Sequence, residues 1–302
     1  MSADAEPPRE SLPESADRTI GVTLGLIAAY LALALWPMVR YAQTTGDRVP
    51  LFAHVSVLLV AAALVREAPR RARAVRDLLP LAVGPFLYVE LRWLIPGLGR
   101  PHADAIVMRW EDALFPSHPA ATWALAMPYR ALSEALHFAY ASYYLLVLVP
   151  PIMLFVRGRR REYARTMLAL AVVYGLCFLT YLLFPVDGPR YLAGAAAAPD
   201  GPIRSFVLHL LAAGSSRGTA FPSSHVAASL VASVYALRFQ RAVGVVVAVL
   251  TVGLTLATVY GGFHYLVDVL GGAIVGGGAW LVASVLCRAL STPDAHSASA
   301  AR

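Results

Sequence analysis

Residues 242–287 read AVGVVVAVLTVGLTLATVYGGFHYLVDVLGGAIVGGGAWLVASVLC. Two apolar runs, 242–260 and 263–287, meet at Gly261-Gly262, and His264 and Asp268 are the only acidic or basic groups among them. About 20 apolar residues cross a bilayer as a helix, and each run is long enough. Working outward, six more runs stand at roughly 19–39, 50–65, 78–97, 132–156, 163–185 and 221–238. The composition agrees. Of 302 residues, 58% are hydrophobic and 14% charged, against roughly 25% charged in soluble domains. Mean hydropathy is +0.62. A soluble fold has no surface for this much apolar material, and the apolar content excludes disorder for most of the chain. The sequence predicts an all-α polytopic transmembrane bundle of about eight spans, the second and sixth being short.

The formal charge is +7, and all 25 basic residues are arginine. Their short clusters between apolar runs are not a nucleic-acid footprint, so no nucleic-acid partner is expected. Arg66, Arg70, Arg71, Arg73 and Arg76 follow the second run. Arg157, Arg159, Arg160, Arg161 and Arg165 follow the fourth, and Arg238 and Arg241 the sixth. An eight-span chain puts all three clusters and both termini on one side, which the positive-inside rule makes cytoplasmic. The connections 98–131 and 186–220 then face outward. Residues 1–18, with five acids, two arginines and three prolines, predict a disordered cytoplasmic tail without the basic start of a cleaved signal. Residues 289–302 predict a second flexible tail. Between them lie N-terminal spans (19–156), with an interfacial segment at 103–131 carrying Trp110, Phe115, Trp123 and Tyr129, and a core at 157–288. Cys177 and Cys287 read as small core residues, and Gly271, Gly272, Gly276, Gly277 and Gly278 as a helix-packing surface.

Ionisable groups inside a membrane usually face a cavity. Here they are Glu90, Arg92, Glu134, His137, His225, His264 and Asp268, with His54 marginal. His225 and His264 open the sixth and eighth spans at the outer face, beside the loop that carries Arg190, Arg204 and Arg217. In AFPSSHVAAS, Pro222 suits a first helical position. Ser223, Ser224 and His225 then occupy the first turn, where free N–H groups and the helix dipole favour an anion. In FHYLVDVLGG, His264 and Asp268 are four apart and share a helical face. The carboxylate can accept Nδ1–H and leave Nε2 with its lone pair outward, as a nucleophile or base requires. In FPVDGPRYL, a rigid Pro-Gly-Pro turn delivers the Arg190 guanidinium, a fork-shaped donor to phosphate oxygens. Each segment also has a purely structural reading, as a helix start, a self-satisfied pair and a surface arginine.

Arg190, Pro222-Ser223-Ser224-His225 and His264-x-x-x-Asp268 resemble the type-2 phosphatidic acid phosphatase superfamily, whose usual pattern is K-x6-R-P, P-S-G-H and S-R-x5-H-x3-D. The resemblance covers roughly 163–287. It implies a six-helix lipid-phosphatase-like core, a phospholipid or lipid-phosphate substrate, no cofactor and no metal. It further implies His264 as the nucleophile that becomes a phosphohistidine, Asp268 as its orienting partner and His225 as acid and base. Arg190, Ser223 and Ser224 would bind the phosphate. The lysine falls on Leu183, the proline on Tyr191, the glycine on Ser224, and the serine and arginine of the third motif on Ala257 and Thr258. With two cations absent, Arg217 is the first expected replacement and Arg204 the second. Gly188-Pro189-Arg190 followed by an aromatic, with a reduced third motif, is most similar to the inositol phosphorylceramide synthase branch. The expectation is a lipid phosphatase or phosphotransferase of the cell (inner) membrane, with an extracytoplasmic active site. The alternatives are a transporter or lipid-binding protein, and an intramembrane serine protease using Ser223 or Ser224.

Overall fold

The computed structural model describes residues 12–66, 72–191 and 198–291. Among the described residues there are twelve α-helices and no strand, with one isolated bridge between Val186 and Thr219. In chain order they are α1 (Leu12–Thr45), α2 (Val49–Ala63), α3 (Arg73–Leu98), α4 (Asp104–Leu114), α5 (Pro119–Ala126) and α6 (Arg130–Ala141). Then follow α7 (Tyr143–Val156), α8 (Arg160–Leu183), α9 (Pro202–Gly214), α10 (Ser224–Phe239), α11 (Arg241–Tyr260) and α12 (Leu266–Ala289). Every apolar run of the sequence lies on a helix, and the all-α membrane bundle holds.

Five helices (α1, α3, α8, α11 and α12) are long and apolar enough to cross a membrane; α6 and α7 make a sixth if counted as one span bent by 41°. The other two predicted spans are short. α2 has 15 residues and α10 has 16, about 22–24 Å at 1.5 Å per residue, below the ~30 Å hydrocarbon core. The α6–α7 bend has a local cause. Ser142 Oγ donates to the Ala139 carbonyl at 2.7 Å, competing with the backbone ladder as serine does at helix bends.

Three boundaries differ from the sequence expectation. Residues 12–18, assigned to the N-terminal tail, are the first turns of α1, and Asp17 accepts from Arg76 at 2.9 Å and Arg160 at 2.7 Å. The buried Arg76 and the half-buried Arg160 reward helix there. The two long connections also hold helices, α4 and α5 in 103–131 and α9 in 186–220. Residues 1–11 and 292–302 of the tails, and Arg70 and Arg71 of the first cluster, lie outside the described residues.

α8 packs against α1, α3, α7, α10 and α12 and forms the centre of the bundle. The arginine clusters meet at one end of it. Arg160 binds both Asp77 and Asp17, tying the starts of α1, α3 and α8. Arg157 donates to Gln240 Oε1 at 3.2 Å and Arg159 to the Phe239 carbonyl at 2.5 Å, tying the ends of α7 and α10 to α8. The starts of α10 and α12, with their histidines, are at the other end. His54 and Glu90 pair inside the bundle, Nδ1 to Oε1 at 2.9 Å, while His54 Nε2 meets the Leu31 carbonyl at 2.9 Å; Glu90 Oε2 has no partner among the described residues. Of the glycines in α12, an added Cβ at Gly272 would lie 2.5 Å from the Ser223 carbonyl and at Gly276 2.9 Å from that of Ala227. At Gly277 and Gly278 it would meet nothing within 4 Å. The packing surface is therefore Gly271, Gly272 and Gly276 alone.

Candidate active site

Three segments converge where α10 and α12 begin. Ser223 is the N-cap of α10, its Oγ accepting from Val226 N–H at 3.4 Å. Its own N–H donates to the Asp268 carbonyl at 3.0 Å. Tyr181 of α8 clamps the same turn, donating to the Pro222 carbonyl at 2.8 Å and accepting from Ser224 N–H at 3.2 Å. The expected register is thus off by two. Pro222 precedes the cap, so Ser224 and His225 are the first two helical residues. The helix start is also less open to an anion than expected. Ser223 and Ser224 are buried, and of the amides from Ser223 to Val226 the His225 N–H alone lacks a partner among the described residues.

His264 stands in the turn before α12 rather than on its face. Its N–H and that of Phe263 both donate to the Thr258 carbonyl at 2.9 Å. Asp268 is the third residue of α12 and forms a capping box with Tyr265. Its Oδ2 accepts from Tyr265 N–H at 2.9 Å and lies 3.3 Å from His264 Nδ1. The expected pair therefore forms, through a capping turn instead of a continuous helical face. Asp268 is fully buried, and its Oδ1 has no partner among the described residues. His264 is buried, and Nδ1 is the ring nitrogen that faces Asp268. The rings of His225 and His264 are 5.9 Å apart, close enough to address one group.

Arg190 sits in a single 3-10 turn, Pro189–Tyr191. Gly188 before it has φ +85°, and a Cβ there would come within 2.9 Å of Ala220 Cβ and 3.1 Å of the Phe263 carbonyl. Only glycine lets this loop lie against both histidine segments. The guanidinium donates to Ser215 Oγ at 2.7 Å and Tyr191 Oη at 2.6 Å, and its charge acts on both imidazoles. Among the described residues it makes no ion pair. Arg217 differs. It is bound to Asp187 at 2.7 Å, its side chain is 65% exposed, and it shares the Tyr191 ring with Arg190, the centroid being 4.7 Å from Arg217 Cζ and 4.5 Å from Arg190 Cζ. Arg204 is paired with Asp200. At Leu183, where the superfamily pattern has lysine, the side chain is 60% exposed at the end of α8.

Several residues of the site were not legible as such in the sequence. Tyr140 and Tyr143 flank the α6–α7 bend and both pack on His225, Tyr140 stacked with centroids at 5.1 Å and Tyr143 tilted at 4.3 Å. Glu111 of α4, nearly fully buried, accepts from Leu266 and Val267 N–H at 3.2 and 2.9 Å and so caps α12 beside Asp268. Asp104 accepts from Asp187 and Gly188 N–H at 3.0 Å each and fixes the Arg190 loop. The charges inside the amphipathic segment 104–114 were the available signal. The fold also gathers His102, Asp104 and Asp187, with donor atoms within 4.8 Å of one another, a cluster the sequence did not display. Those oxygens are engaged by backbone amides, Arg217 and His102. Beneath His225 an apolar cavity of about 550 Å³ runs into the bundle, lined by Ser224, His225, Tyr88, Tyr140, Tyr143 and Tyr174 among others.

The fold and site define a helical membrane protein with two histidines, a buried carboxylate and an arginine gathered at one end. A profile of the PAP2 superfamily matches residues 105–282. The chain belongs to this superfamily, whose members are phosphoric ester hydrolases or phosphotransferases. No curated protein and no solved structure matches the chain. The match begins upstream of the 157–288 core read from the sequence, in keeping with the contributions of α4, α6 and α7 to the site.

Proposed function

We propose that the chain is a lipid phosphatase or phosphotransferase working through a phosphohistidine on His264. One observation carries the lipid assignment: His225, 5.9 Å from His264, is also part of the wall of the apolar 550 Å³ cavity. A polar phosphate at the histidines and a hydrocarbon tail in the cavity fit one amphiphilic substrate, and the volume is in the usual range for ligand sites.

In this reading Asp268 holds His264 Nδ1–H and leaves the Nε2 lone pair to attack phosphorus. The N–P bond forms as the P–O bond to the lipid alcohol breaks, and His225 gives its proton to the leaving oxygen. A phosphate anion beside His225 favours the protonated ring that this step needs. Water or an acceptor hydroxyl then returns a proton to His225 and attacks phosphorus, and the N–P bond breaks. Arg190, the His225 N–H and Ser224 serve the non-bridging oxygens, with Arg217 an auxiliary across Tyr191. Phosphoryl transfer depends mainly on such placement and charge stabilisation. Tyr191 after Gly188-Pro189-Arg190, and Ala257-Thr258 in the third motif, favour the transferase outcome of the inositol phosphorylceramide synthase-like branch. The arginine bias favours an extracytoplasmic site. Full burial of Ser223, with its hydroxyl spent on the helix cap, argues against a serine protease.

The test is phosphate release and headgroup exchange by purified protein over a panel of phospholipids, with and without vanadate. Turnover that vanadate abolishes is expected. A carrier or lipid-binding protein would show no turnover on any lipid of the panel, and a protease would be indifferent to vanadate.

A further inference from the structure

At the end of the bundle opposite the histidines, α8, α10 and α12 enclose a second cavity of about 260 Å³. Arg165 of α8, Arg238 of α10 and Arg288 of α12 line it, with Tyr235, Trp280 and Ser284. Positions 225 and 238 on α10 put it about 20 Å from the histidine site, at 1.5 Å per residue.

Other arginines at this end are consumed by the fold: Arg160 by Asp77 and Asp17, Arg76 by Asp17, and Arg159 by Glu162. Among the described residues no carboxylate pairs with Arg165, Arg238 or Arg288. Helix ends account for two of them, since Arg238 and Arg288 stand in last turns, where a cation complements the negative end of the dipole. Arg165, in the second turn of α8, stands at neither helix end and gains nothing from the dipole. Three arginines on three helices therefore line one crevice with no carboxylate among its walls, and an anion there would offset their mutual repulsion. The remaining walls are those of a lipid site. Trp280 and Tyr235 are the aromatic types found at headgroup depth. Leu281, which also lines the cavity, is 57% exposed and opens it toward the hydrocarbon.

We infer that this crevice binds the phosphate of an anionic phospholipid from the surrounding leaflet, as basic pockets between membrane helices do. The three guanidinium groups hold the phosphate oxygens, and the chains leave past Leu281. The site is separate from the proposed catalytic one, so its test reads binding alone. Thermal unfolding of the full chain in neutral detergent is followed while phosphatidylglycerol, phosphatidylcholine or inorganic phosphate is added. Phosphatidylglycerol should raise the midpoint saturably, by about 5 °C at a hundredfold excess over Kd, and the other two should not. The double substitution Arg165→Gln with Arg238→Gln should remove the shift. Arg241→Gln, exposed at the same end outside the cavity, should retain it. Should the double variant fail to fold, Arg288→Gln, at an exposed position, must still reduce the shift. Equal stabilisation by phosphatidylcholine, a shift that survives these substitutions, or an arginine-dependent shift with inorganic phosphate alone would overturn the assignment.

Discussion

Arg190 is the cation on which the proposed chemistry depends, because it faces both imidazoles with hydroxyl partners while Arg217 and Arg204 are already paired with carboxylates. Losing a charge-assisted contact to phosphate costs roughly 1.5–3 kcal/mol. Arg190→Ala should therefore lower kcat/KM by about ten- to a hundredfold. Arg217→Ala gives up an exposed pair worth about 0–1 kcal/mol and should lose less than tenfold. Steady-state kinetics of the two variants side by side decide the order, and a larger loss at Arg217 would reverse it. The two histidines should separate by leaving group. His225→Ala should lose about 10²–10⁴-fold on alcohol-leaving substrates, as for a general acid, and be largely spared in the first-turnover burst of nitrophenol from a nitrophenyl ester, the second step still needing the ring as base. Loss of that burst to the same extent would show that His225 does not act as the acid. At this scale the sequence was informative for groups whose spacing carries chemistry, namely Arg190, His225, His264 and Asp268. Tyr140 and Tyr143 left no such mark, because an aromatic in an apolar span is indistinguishable from core until the Ser142 bend turns both toward His225.

At the scale of elements, the contact between α12 and the start of α10 sets the site, because Ser223 N–H bonds the Asp268 carbonyl across it. Gly272 permits that approach: an added Cβ would sit 2.5 Å from the Ser223 carbonyl. Gly272→Ala should push the two helices apart, lowering both the melting midpoint and activity. Gly277→Ala meets nothing within 4 Å and should keep activity and gain up to about 1 kcal/mol from helix propensity. Equal effects in the two variants would disprove this packing account. Glu111 tests the cap. Glu111→Ala leaves two first-turn amides of α12 unsatisfied, at a cost of about 1–3 kcal/mol. A lowered midpoint should follow, with Glu111→Gln, which retains an acceptor, falling between. The helices themselves were legible from apolar run length. Their ends were less so, since the α10 register and the turn holding His264 are decided by caps from other helices, Tyr181 and Glu111, that no local pattern announces. α9 and the start of α1 escaped for the same reason: Glu134 caps α9 through Ile203 and Arg204 N–H, and Asp17 binds distant arginines.

For the whole molecule, the arginine network and the histidine site occupy opposite ends of the bundle, and the positive-inside rule turns that polarity into a topology. Cys177 and Cys287 are buried and free, so the native chain gives little labelling background. Asp200→Cys should react with an impermeant maleimide on intact cells, and Arg241→Cys only after permeabilisation. The opposite pattern would invert the orientation. In the proposed mechanism the pairing that aims His264 and the cavity beneath His225 both serve one event, a phosphoryl group passing onto a histidine of this chain. Rapid-quench trapping with a radiolabelled lipid phosphate observes that event directly. The wild type should yield an acid-labile, base-stable phosphoprotein within the first turnover. His264→Ala should yield none, and His225→Ala should still form it from a nitrophenyl ester. Label that persists in His264→Ala, or turnover in the wild type with no phosphoprotein at any time, would contradict the account.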